Sequence, residues 1–303
     1  MKFKKVLITG CGGMLGDAVY SYITKNKIKA CFTDLCAFED WLVPLDVRDI
    51  DSIEKMVKEY KPDLILHLAA ITDLELGEID WENTIRTNAI GTENVALISK
   101  KYNATMVYIS TAGVFDGKKD VYTDSDIPNP INVYGMSKHR GELFCQQFLD
   151  KFYIFRAGWM MGGGPKKDKK FINKIYKQVK SGKKELFIVN DKFGTPTYTH
   201  DFVRAIFKVI ETGWYGLYNQ VCLGETSRLE IAQELVNLLG FKNKIKINSV
   251  SSDYFKEDFF VPRPLSEKLI NQKLIARNIC YMRDWRECLK EYVEDFKKDL
   301  NSF

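Results

Sequence analysis

Residues 6–19 read VLITGCGGMLGDAV, and this stretch decides the fold. A short apolar run leads into a turn with glycines at 10, 12, 13 and 16, and a helix-like segment follows. Glycine lets the backbone turn sharply and approach a ligand closely, while the N-terminus of the next helix offers free N–H groups. The shorter fingerprint GxGxxG would need glycine where Leu15 stands, but the spacing Gly10-x-x-Gly13-x-x-Gly16 fits a dinucleotide-binding turn. A glycine-rich turn without a ligand is the alternative.

Short apolar runs alternate with amphipathic segments through the first half of the chain. The runs are VLIT (6–9), ACFT (30–33), LILHLAA (64–70), MVYIS (106–110) and YIFRAG (153–158). Strands buried on both sides need no polar alternation, so this order is typical of βαβ units. We therefore predict an α/β protein with a Rossmann-like, doubly wound parallel sheet.

The pattern changes near residue 160 without a flexible linker. A basic loop, a further strand and several amphipathic helices follow. We predict a dinucleotide-binding domain at 1–160, to which 194–222 return, and a smaller, mainly substrate-binding α/β lobe at 161–303. The lysines at 166, 167, 169 and 170 are most simply a solvated loop.

Composition excludes several classes of function. The 303 residues carry a net charge of +5, which is mildly basic and not the signature of a nucleic-acid partner. Seven cysteines without a CxxC pair are typical of reduced cytosolic thiols, and no His/Cys/Asp cluster has the spacing of metal ligands. No apolar run approaches the length of a signal core or a membrane span. We expect a soluble, cytoplasmic protein without a metal, a nucleic-acid partner or a membrane partner.

Asp34 bears on the choice of cofactor. It ends the second apolar run, about twenty residues after the glycine turn, where an acid can bond the adenine ribose hydroxyls and repel a 2′-phosphate. No arginine follows closely to neutralise such a phosphate. The sequence therefore favours NAD(H) and leaves NADP(H) open, and a plain strand-end cap is the alternative role for Asp34.

Residues 132–138 read NVYGMSK and place Tyr134 and Lys138 four residues apart. Such a pair shares one face of a helix, but that spacing also arises by chance. The whole ordered set is more specific: Gly10, Gly13 and Gly16, Asp34, LAA (68–70), Asn88, Thr111, Tyr134 and Lys138. This set resembles the extended short-chain dehydrogenase/reductase family, and within it the dTDP-4-dehydrorhamnose reductases. The resemblance runs almost the whole length, through residues 122–142, 189–206, 224–233 and 261–274.

The resemblance implies roles for individual residues. Tyr134 would be the general acid, Lys138 would lower the pKa of its phenol and bond the nicotinamide ribose, and Thr111 would hydrogen-bond the reacting oxygen. Asn88 resembles a mainly structural asparagine of the family. The expected cofactor-binding residues are Gly10, Gly13, Met14, Leu15, Gly16, Asp34, Asp46, Val47, Ala69, Ala70, Tyr134 and Lys138.

The resemblance also implies a nucleotide-sugar substrate, a homodimer and a reaction at the C4 keto group of a 4-keto-6-deoxy sugar in polysaccharide biosynthesis. Thr111 and Trp159 are expected to contact the substrate, although packing would also explain Trp159. Arg263 is a candidate for the diphosphate, because guanidinium matches phosphate oxygens with two donors. A salt-bridged surface arginine is the alternative.

Ala112-Gly113 is the main departure from the family. The rhamnose-pathway reductases usually carry Asp-Tyr after the catalytic threonine, so the identity of the hexose is less defined here. The related 4,6-dehydratases need an Asp-Glu pair there, and Ala112-Gly113 cannot do acid/base work. Two alternatives stay open: a nucleotide-sugar 4-epimerase, and a non-catalytic NAD(P)-binding protein like the regulatory subunit of methionine adenosyltransferase.

Overall fold

A seven-stranded parallel sheet forms the centre of the computed structural model, which describes residues 3–301. The strands are β1 (Lys5–Thr9), β2 (Lys29–Asp34), β3 (Leu42–Pro44), β4 (Leu64–His67), β5 (Thr105–Thr111), β6 (Phe152–Ala157), β7 (Trp159–Met161), β8 (Glu185–Val189), β9 (Phe193–Gly194), β10 (Pro196–Tyr198), β11 (Gly216–Asn219), β12 (Thr226–Ser227), β13 (Lys246–Val250) and β14 (Ser266–Glu267). The α-helices are α1 (Met14–Lys25), α2 (Ile50–Tyr60), α3 (Leu74–Ile79), α4 (Trp81–Ile85), α5 (Gly91–Lys101), α6 (Val133–Phe148), α7 (Gly164–Lys167), α8 (Phe171–Lys180), α9 (Thr199–Glu211), α10 (Arg228–Leu238), α11 (Gln272–Ala276) and α12 (Trp285–Asn301). A π-helical turn spans Arg86–Ile90, and 3-10 turns span Ala112–Val114 and Ser252–Phe255.

The order of strands in the large sheet is β3-β2-β1-β4-β5-β6-β11. The chain winds outward from β1 in one direction and then, from β4, in the other, which confirms the predicted doubly wound fold. Folds of this type bind ligands outside the carboxyl ends of the strands, at the point where the winding reverses. The glycine turn lies at that point, directly after β1.

Both faces of the sheet are buried, which explains the continuous apolar runs. Within β1, Val6 and Ile8 belong to the core on one side of the sheet, and Leu7 belongs to the core on the other side. Successive side chains of a strand point to opposite faces, so each strand must be apolar at every position. Helices α2 and α5 contribute Ile53, Val57 and other residues to the same core as Leu7.

The chain leaves the large sheet after β6, forms the second lobe and returns to the sheet within it. Strand β11 pairs with β6, and Phe207 of α9 stacks on Tyr22 of α1 with ring centroids 4.8 Å apart. The lobe itself contains three small sheets, β10-β7, β12-β9-β14 and β13-β8. Its helix α12 buries Trp285, Tyr292 and Phe296. The domain boundary at residue 160 stays a prediction.

Within residues 3–301, no helix is both long and apolar enough to cross a membrane. In the same range, the structure contains no group of three His, Cys, Asp or Glu side chains placed to hold a metal ion.

Candidate active site

The three glycines of the fingerprint have different environments. Gly10 has a φ of +76°, and a Cβ there would collide with the backbone of Ala69. A Cβ at Gly16 would lie 2.5 Å or less from three backbone atoms of Cys11, so this glycine lets α1 pack on the turn. A Cβ at Gly13 would meet no atom within 4 Å. Gly10 and Gly16 therefore serve internal packing, whereas Gly13 faces open space.

The open space at Gly13 fits a pyrophosphate. Gly13 is the N-cap of α1 and makes no side-chain cap, and Met14 and Leu15 follow it in the first turn. The first N–H groups of a helix have no intrahelical acceptor, and they carry the positive end of the helix dipole. Leu15 buries its side chain in the core, so it can offer only its backbone to a ligand. The residues present therefore match what a dinucleotide requires.

Asp34 lies directly over the glycine turn. Its Oδ2 accepts a hydrogen bond from the backbone N–H of Gly12 at 2.8 Å. The ring of Phe38 also lies against Gly12, although this side chain is 61% exposed. Asp34 thus orders the turn, which agrees with its alternative role as a strand-end cap. Its other oxygen, Oδ1, can still accept a hydrogen bond from a ribose hydroxyl.

The other expected adenosine contacts lie at the carboxyl ends of β3 and β4. The carboxylate of Asp46 pairs with Arg48, whose guanidinium approaches to 2.7 Å and whose hydrogen bonds lower the pKa of Asp46. Arg48 is therefore already neutralised. Val47 is buried, and its carbonyl accepts a hydrogen bond from the side chain of Asn94 at 3.1 Å. Ala69 and Ala70 lie partly exposed just after β4.

Thr111 and Tyr134 converge at the carboxyl edge of the sheet. Thr111 ends β5, and its Oγ1 accepts a hydrogen bond from the backbone N–H of Gly113 at 3.0 Å, which leaves the hydroxyl proton free for another acceptor. A Cβ built at Gly113 would lie 3.4 Å from Thr111 Oγ1 and 3.7 Å from Tyr134 Cε1. Asn132 caps α6 by accepting from Gly135 N at 2.8 Å, and this cap places Tyr134 in the first turn.

Lys138 lies one helical turn after Tyr134 and is buried. Its Nζ is 4.2 Å from the centroid of the Tyr108 ring. Burial lowers the pKa of Lys138 to about 7, and the charge of Glu142 opposes this shift. Burial also raises the pKa of Tyr134 to about 12, against a hydrogen bond with Thr111 that lowers it. Burial is therefore the larger effect on the phenol, and the lowering of its pKa by Lys138 stays a prediction.

The side chains of two nearby polar residues form hydrogen bonds within the fold. The side chain of Asn88 donates to Ile71 O at 2.9 Å and to Ser137 Oγ at 3.0 Å, and accepts from Ile71 N at 2.7 Å. It thereby ties the loop after β4 to α6. His67 hydrogen-bonds the hydroxyls of Thr9 and Thr92, and burial lowers its pKa to about 3. Neither residue is free for catalysis.

Trp159 lies on β7 at the edge of the second lobe. Its indole N–H donates to Glu267 Oε2 at 2.6 Å, and its ring lies so close to Gly194 that a Cβ there would be 2.5 Å from it. The guanidinium of Arg228 lies 3.7 Å from the ring centroid. The charge of Glu267 also raises the pKa of Tyr134, so this carboxylate acts on both Trp159 and the tyrosine.

Arg263 bridges the two lobes. Its NH2 group lies 2.7 Å from Glu75 Oε2 on α3, and its guanidinium carbon lies 5.0 Å from the centroid of the Phe259 ring. The alternative of a salt-bridged arginine therefore holds for this structure. The diphosphate role would require Arg263 to exchange or share this partner.

The loop of lysines is solvated only in part: Lys166 and Lys169 are exposed, as expected, whereas Lys167 and Lys170 are half-buried. Lys167 forms salt bridges with Asp17 at 3.0 Å and Glu39 at 3.3 Å. Lys170 donates to the carbonyl of Thr72 at 3.0 Å. These contacts join the second lobe to the first beside the cleft, and sequence alone gives no sign of partners about a hundred residues away.

Sequence reasoning also missed Arg228 and Glu267. Both lie in segments that resemble the family, but no local pattern marks a residue that meets Trp159 only in the folded chain. A cavity of about 490 Å³ lies elsewhere in the second lobe. It is formed by α10, β13 and the start of α12, and none of the expected site residues lines it.

Comparisons with known proteins agree with this geometry. The fold and the site define an extended short-chain dehydrogenase/reductase, which is an oxidoreductase that uses a nicotinamide cofactor. The model of the family described as the RmlD substrate binding domain matches residues 4–298, and the chain belongs to this family.

Two similar proteins align with nearly the whole chain. The chain is similar to the spore coat polysaccharide biosynthesis protein SpsK of Bacillus subtilis, with 29% identity over 96% of this chain and 97% of that protein. Methionine adenosyltransferase 2 subunit beta of Xenopus laevis is 26% identical over 98% of this chain and 89% of that protein.

Two solved structures are also similar. A dTDP-4-dehydrorhamnose reductase from Clostridium acetobutylicum has a TM-score of 0.86 and 32% identity and covers 96% of this chain and 98% of its own. The Bacillus anthracis dTDP-4-dehydrorhamnose reductase in complex with NADP has a TM-score of 0.85 and 29% identity, with 96% and 99% covered. The predicted resemblance is confirmed.

Proposed function

We propose that this protein reduces the C4 keto group of a nucleotide-linked 4-keto-6-deoxy sugar with NAD(P)H, in deoxysugar and polysaccharide biosynthesis. One observation carries the proposal: Thr111 and Tyr134 converge at the carboxyl edge of β5, next to the switch point where Gly13 leaves room for a dinucleotide. The names of two similar reductases support the same substrate class.

The chain's own residues supply the proton and the positioning. The hydroxyl of Thr111 donates to the carbonyl oxygen of the sugar, and the phenol of Tyr134 gives that oxygen its proton. When bound, the nicotinamide supplies the hydride to the sugar carbon. A phenol with a pKa near 12 remains protonated at neutral pH, yet it is a stronger acid than the alcohol that forms, so its proton moves to the developing alkoxide. Lys138 lies one helical turn after Tyr134 on α6 and would bond the nicotinamide ribose.

We propose NADH as the preferred cofactor, with NADPH also accepted. Asp34 supports this preference, because its free carboxylate oxygen suits a ribose hydroxyl and repels a 2′-phosphate. The pairing of Arg48 with Asp46 supports it as well, because it leaves this arginine without a free charge for that phosphate. A cytoplasmic location and a homodimer stay predictions.

A second candidate function is that of a non-catalytic, nicotinamide-binding partner protein. The similarity to methionine adenosyltransferase 2 subunit beta over nearly the whole chain favours it. An intact set of Thr111, Tyr134 and Lys138 does not separate the two functions. The nucleotide-sugar 4-epimerase is a third hypothesis and differs in consuming no cofactor.

The loss of NADH or NADPH absorbance in the presence of dTDP-4-dehydrorhamnose tests the proposal. We expect rapid oxidation by the wild-type protein and faster turnover with NADH. A panel of other 4-keto sugar nucleotides defines the sugar, since Ala112-Gly113 differs from the usual reductases. Tight cofactor binding with no oxidation of NAD(P)H by any of these substrates would contradict the reductase; an epimerised sugar nucleotide would then favour the 4-epimerase, and unchanged substrates the partner protein.

A further inference from the structure

Arg228 is held in an unusual way at the start of α10. Its guanidinium carbon lies 3.7 Å from the centroid of the Trp159 ring and 4.8 Å from that of Phe171. Two aromatic rings therefore fix the plane of the guanidinium without using any of its five N–H groups. The side chain is partly buried, so this position costs it some of its hydration.

No described residue uses the donors of Arg228. Within residues 3–301, its side chain makes no salt bridge and no hydrogen bond, whereas Arg48, Arg156 and Arg263 each pair with a carboxylate at 2.7 Å. A guanidinium that loses water without gaining an acceptor is costly. Such a group is explained when the missing acceptor is an anionic ligand.

Arg228 belongs to the same cleft as the catalytic edge. Trp159, on which it stacks, donates to Glu267, and the charge of Glu267 acts on both Arg228 and Tyr134. Arg263 is also close enough for its charge to act on Arg228.

Hydrogen bonds form a row from the start of α6, where Tyr134 lies, to Arg228. Asn132 donates to Pro262 O at 3.0 Å, the side chain of Lys192 donates to Arg263 O at 3.0 Å, and Arg228 N donates to Lys192 O at 3.1 Å. A sugar held at Tyr134 would extend its charged end along this row.

We propose that Arg228 binds the diphosphate of the sugar nucleotide, with Trp159 and Phe171 holding its guanidinium in place. The inference rests on the proposed function, because it assumes that the substrate is a sugar nucleotide. It assigns the anion to Arg228 and not to Arg263, which already has Glu75 as a partner. Arginine suits this role because its planar fork can offer two parallel donors to phosphate oxygens.

The test compares diphosphates with the uncharged nucleosides. The purified full chain is titrated with dTDP, UDP, GDP and ADP, and with the matching nucleosides, as wild type, Arg228→Gln, Arg228→Lys and Arg286→Gln. Arg286 is a matched control, because it also stacks on a tryptophan of this lobe, 4.4 Å from the Trp285 ring, but lies outside the cleft. NADPH affinity and thermal unfolding show that each variant is folded.

We expect Arg228→Gln to weaken the best-bound diphosphate by about 10- to 100-fold and its nucleoside by less than about twofold. Arg228→Lys should recover only part of the loss, because lysine keeps the charge but not the fork. Arg286→Gln should bind like the wild type.

Four results would overturn the inference about Arg228 or separate it from the proposed reductase function. Diphosphate affinity within about twofold of wild type in Arg228→Gln would overturn the inference, and so would equal losses for diphosphate and nucleoside, which indicate a collapsed aromatic platform. Wild-type protein that binds none of the diphosphates would overturn both the inference and the sugar-nucleotide substrate. A selective loss in Arg228→Gln, in a wild-type protein that binds diphosphates but reduces no keto sugar, would support Arg228 and overturn only the reductase.

Discussion

Alanine at Gly16 should lower the stability of the fold, whereas alanine at Gly13 should weaken cofactor binding, although the two glycines lie in one turn. The Cβ of alanine at Gly16 would lie 2.5 Å or less from three backbone atoms of Cys11, so α1 must move by roughly half an ångström to one ångström. Such overpacking costs up to about 3 kcal/mol, and the better helix propensity of alanine returns about 1 kcal/mol. We expect Gly16→Ala to lower the free energy of unfolding by about 2 kcal/mol.

Alanine at Gly13 should spare stability and impair binding. Its Cβ would meet no atom within 4 Å, and the backbone there, with φ −85° and ψ 179°, is allowed for any residue. Alanine is a poorer N-cap than glycine, which costs about 0.5 kcal/mol. The added methyl group would occupy the space in which we place the pyrophosphate. We expect about 10- to 100-fold weaker binding of NADH, because charged hydrogen bonds at the helix N-terminus are lost.

Urea unfolding and NADH fluorescence titration measure the two effects separately. Wild-type affinity for NADH in Gly13→Ala would refute the placement of the pyrophosphate at this turn. Unchanged stability of Gly16→Ala would refute the packing argument, and with it the reason for glycine at that position.

Three further predictions concern single side chains. Tyr134→Phe should bind both cofactors normally and lose about 10²- to 10⁴-fold in kcat, and full activity would remove Tyr134 as the proton donor. Asp34→Ala should weaken NADH more than NADPH, so an unchanged ratio of the two Kd values contradicts its role. His67 has a pKa of about 3 in the folded protein and 6.5 in its ordinary state. Between these pH values the unfolded chain binds more protons than the folded protein, so the free energy of unfolding falls as the pH falls. Urea unfolding should show its contribution intact above pH 6.5 and reduced by roughly 3 kcal/mol at pH 4.5, and His67→Asn should lack this part of the loss.

Local sequence patterns predicted much of the secondary structure in the first half of the chain. The amphipathic segment 50–60 lies between two of the apolar runs and forms α2, and Asp49 caps it by accepting from Asp51 N and Ser52 N. The run 64–70 was expected to be one strand but ends at His67. Leu68 N still bonds Thr9 O, and then the chain turns away at the switch point, which the apolar pattern cannot reveal.

The electrostatics of the site could not be predicted from local sequence. The spacing of Tyr134 and Lys138 places them on one helix face, but the pKa of each depends on burial by the rest of the fold. Arg228 likewise depends on Trp159, 69 positions earlier in the printed sequence, and on Phe171. Contacts between such distant segments leave no mark in either one.

Transfer of deuterium from 4-deuterated NADH or NADPH tests the central claim most directly. The wild-type protein is incubated with dTDP-4-dehydrorhamnose or another 4-keto sugar nucleotide, and the product is examined by NMR and mass spectrometry, with Tyr134→Phe as the control. We predict one deuterium at C4 of the sugar, one equivalent of oxidised cofactor and no product in the variant. Cofactor binding without label in any sugar would contradict a reductase and leave the partner protein and the 4-epimerase as the functions to test.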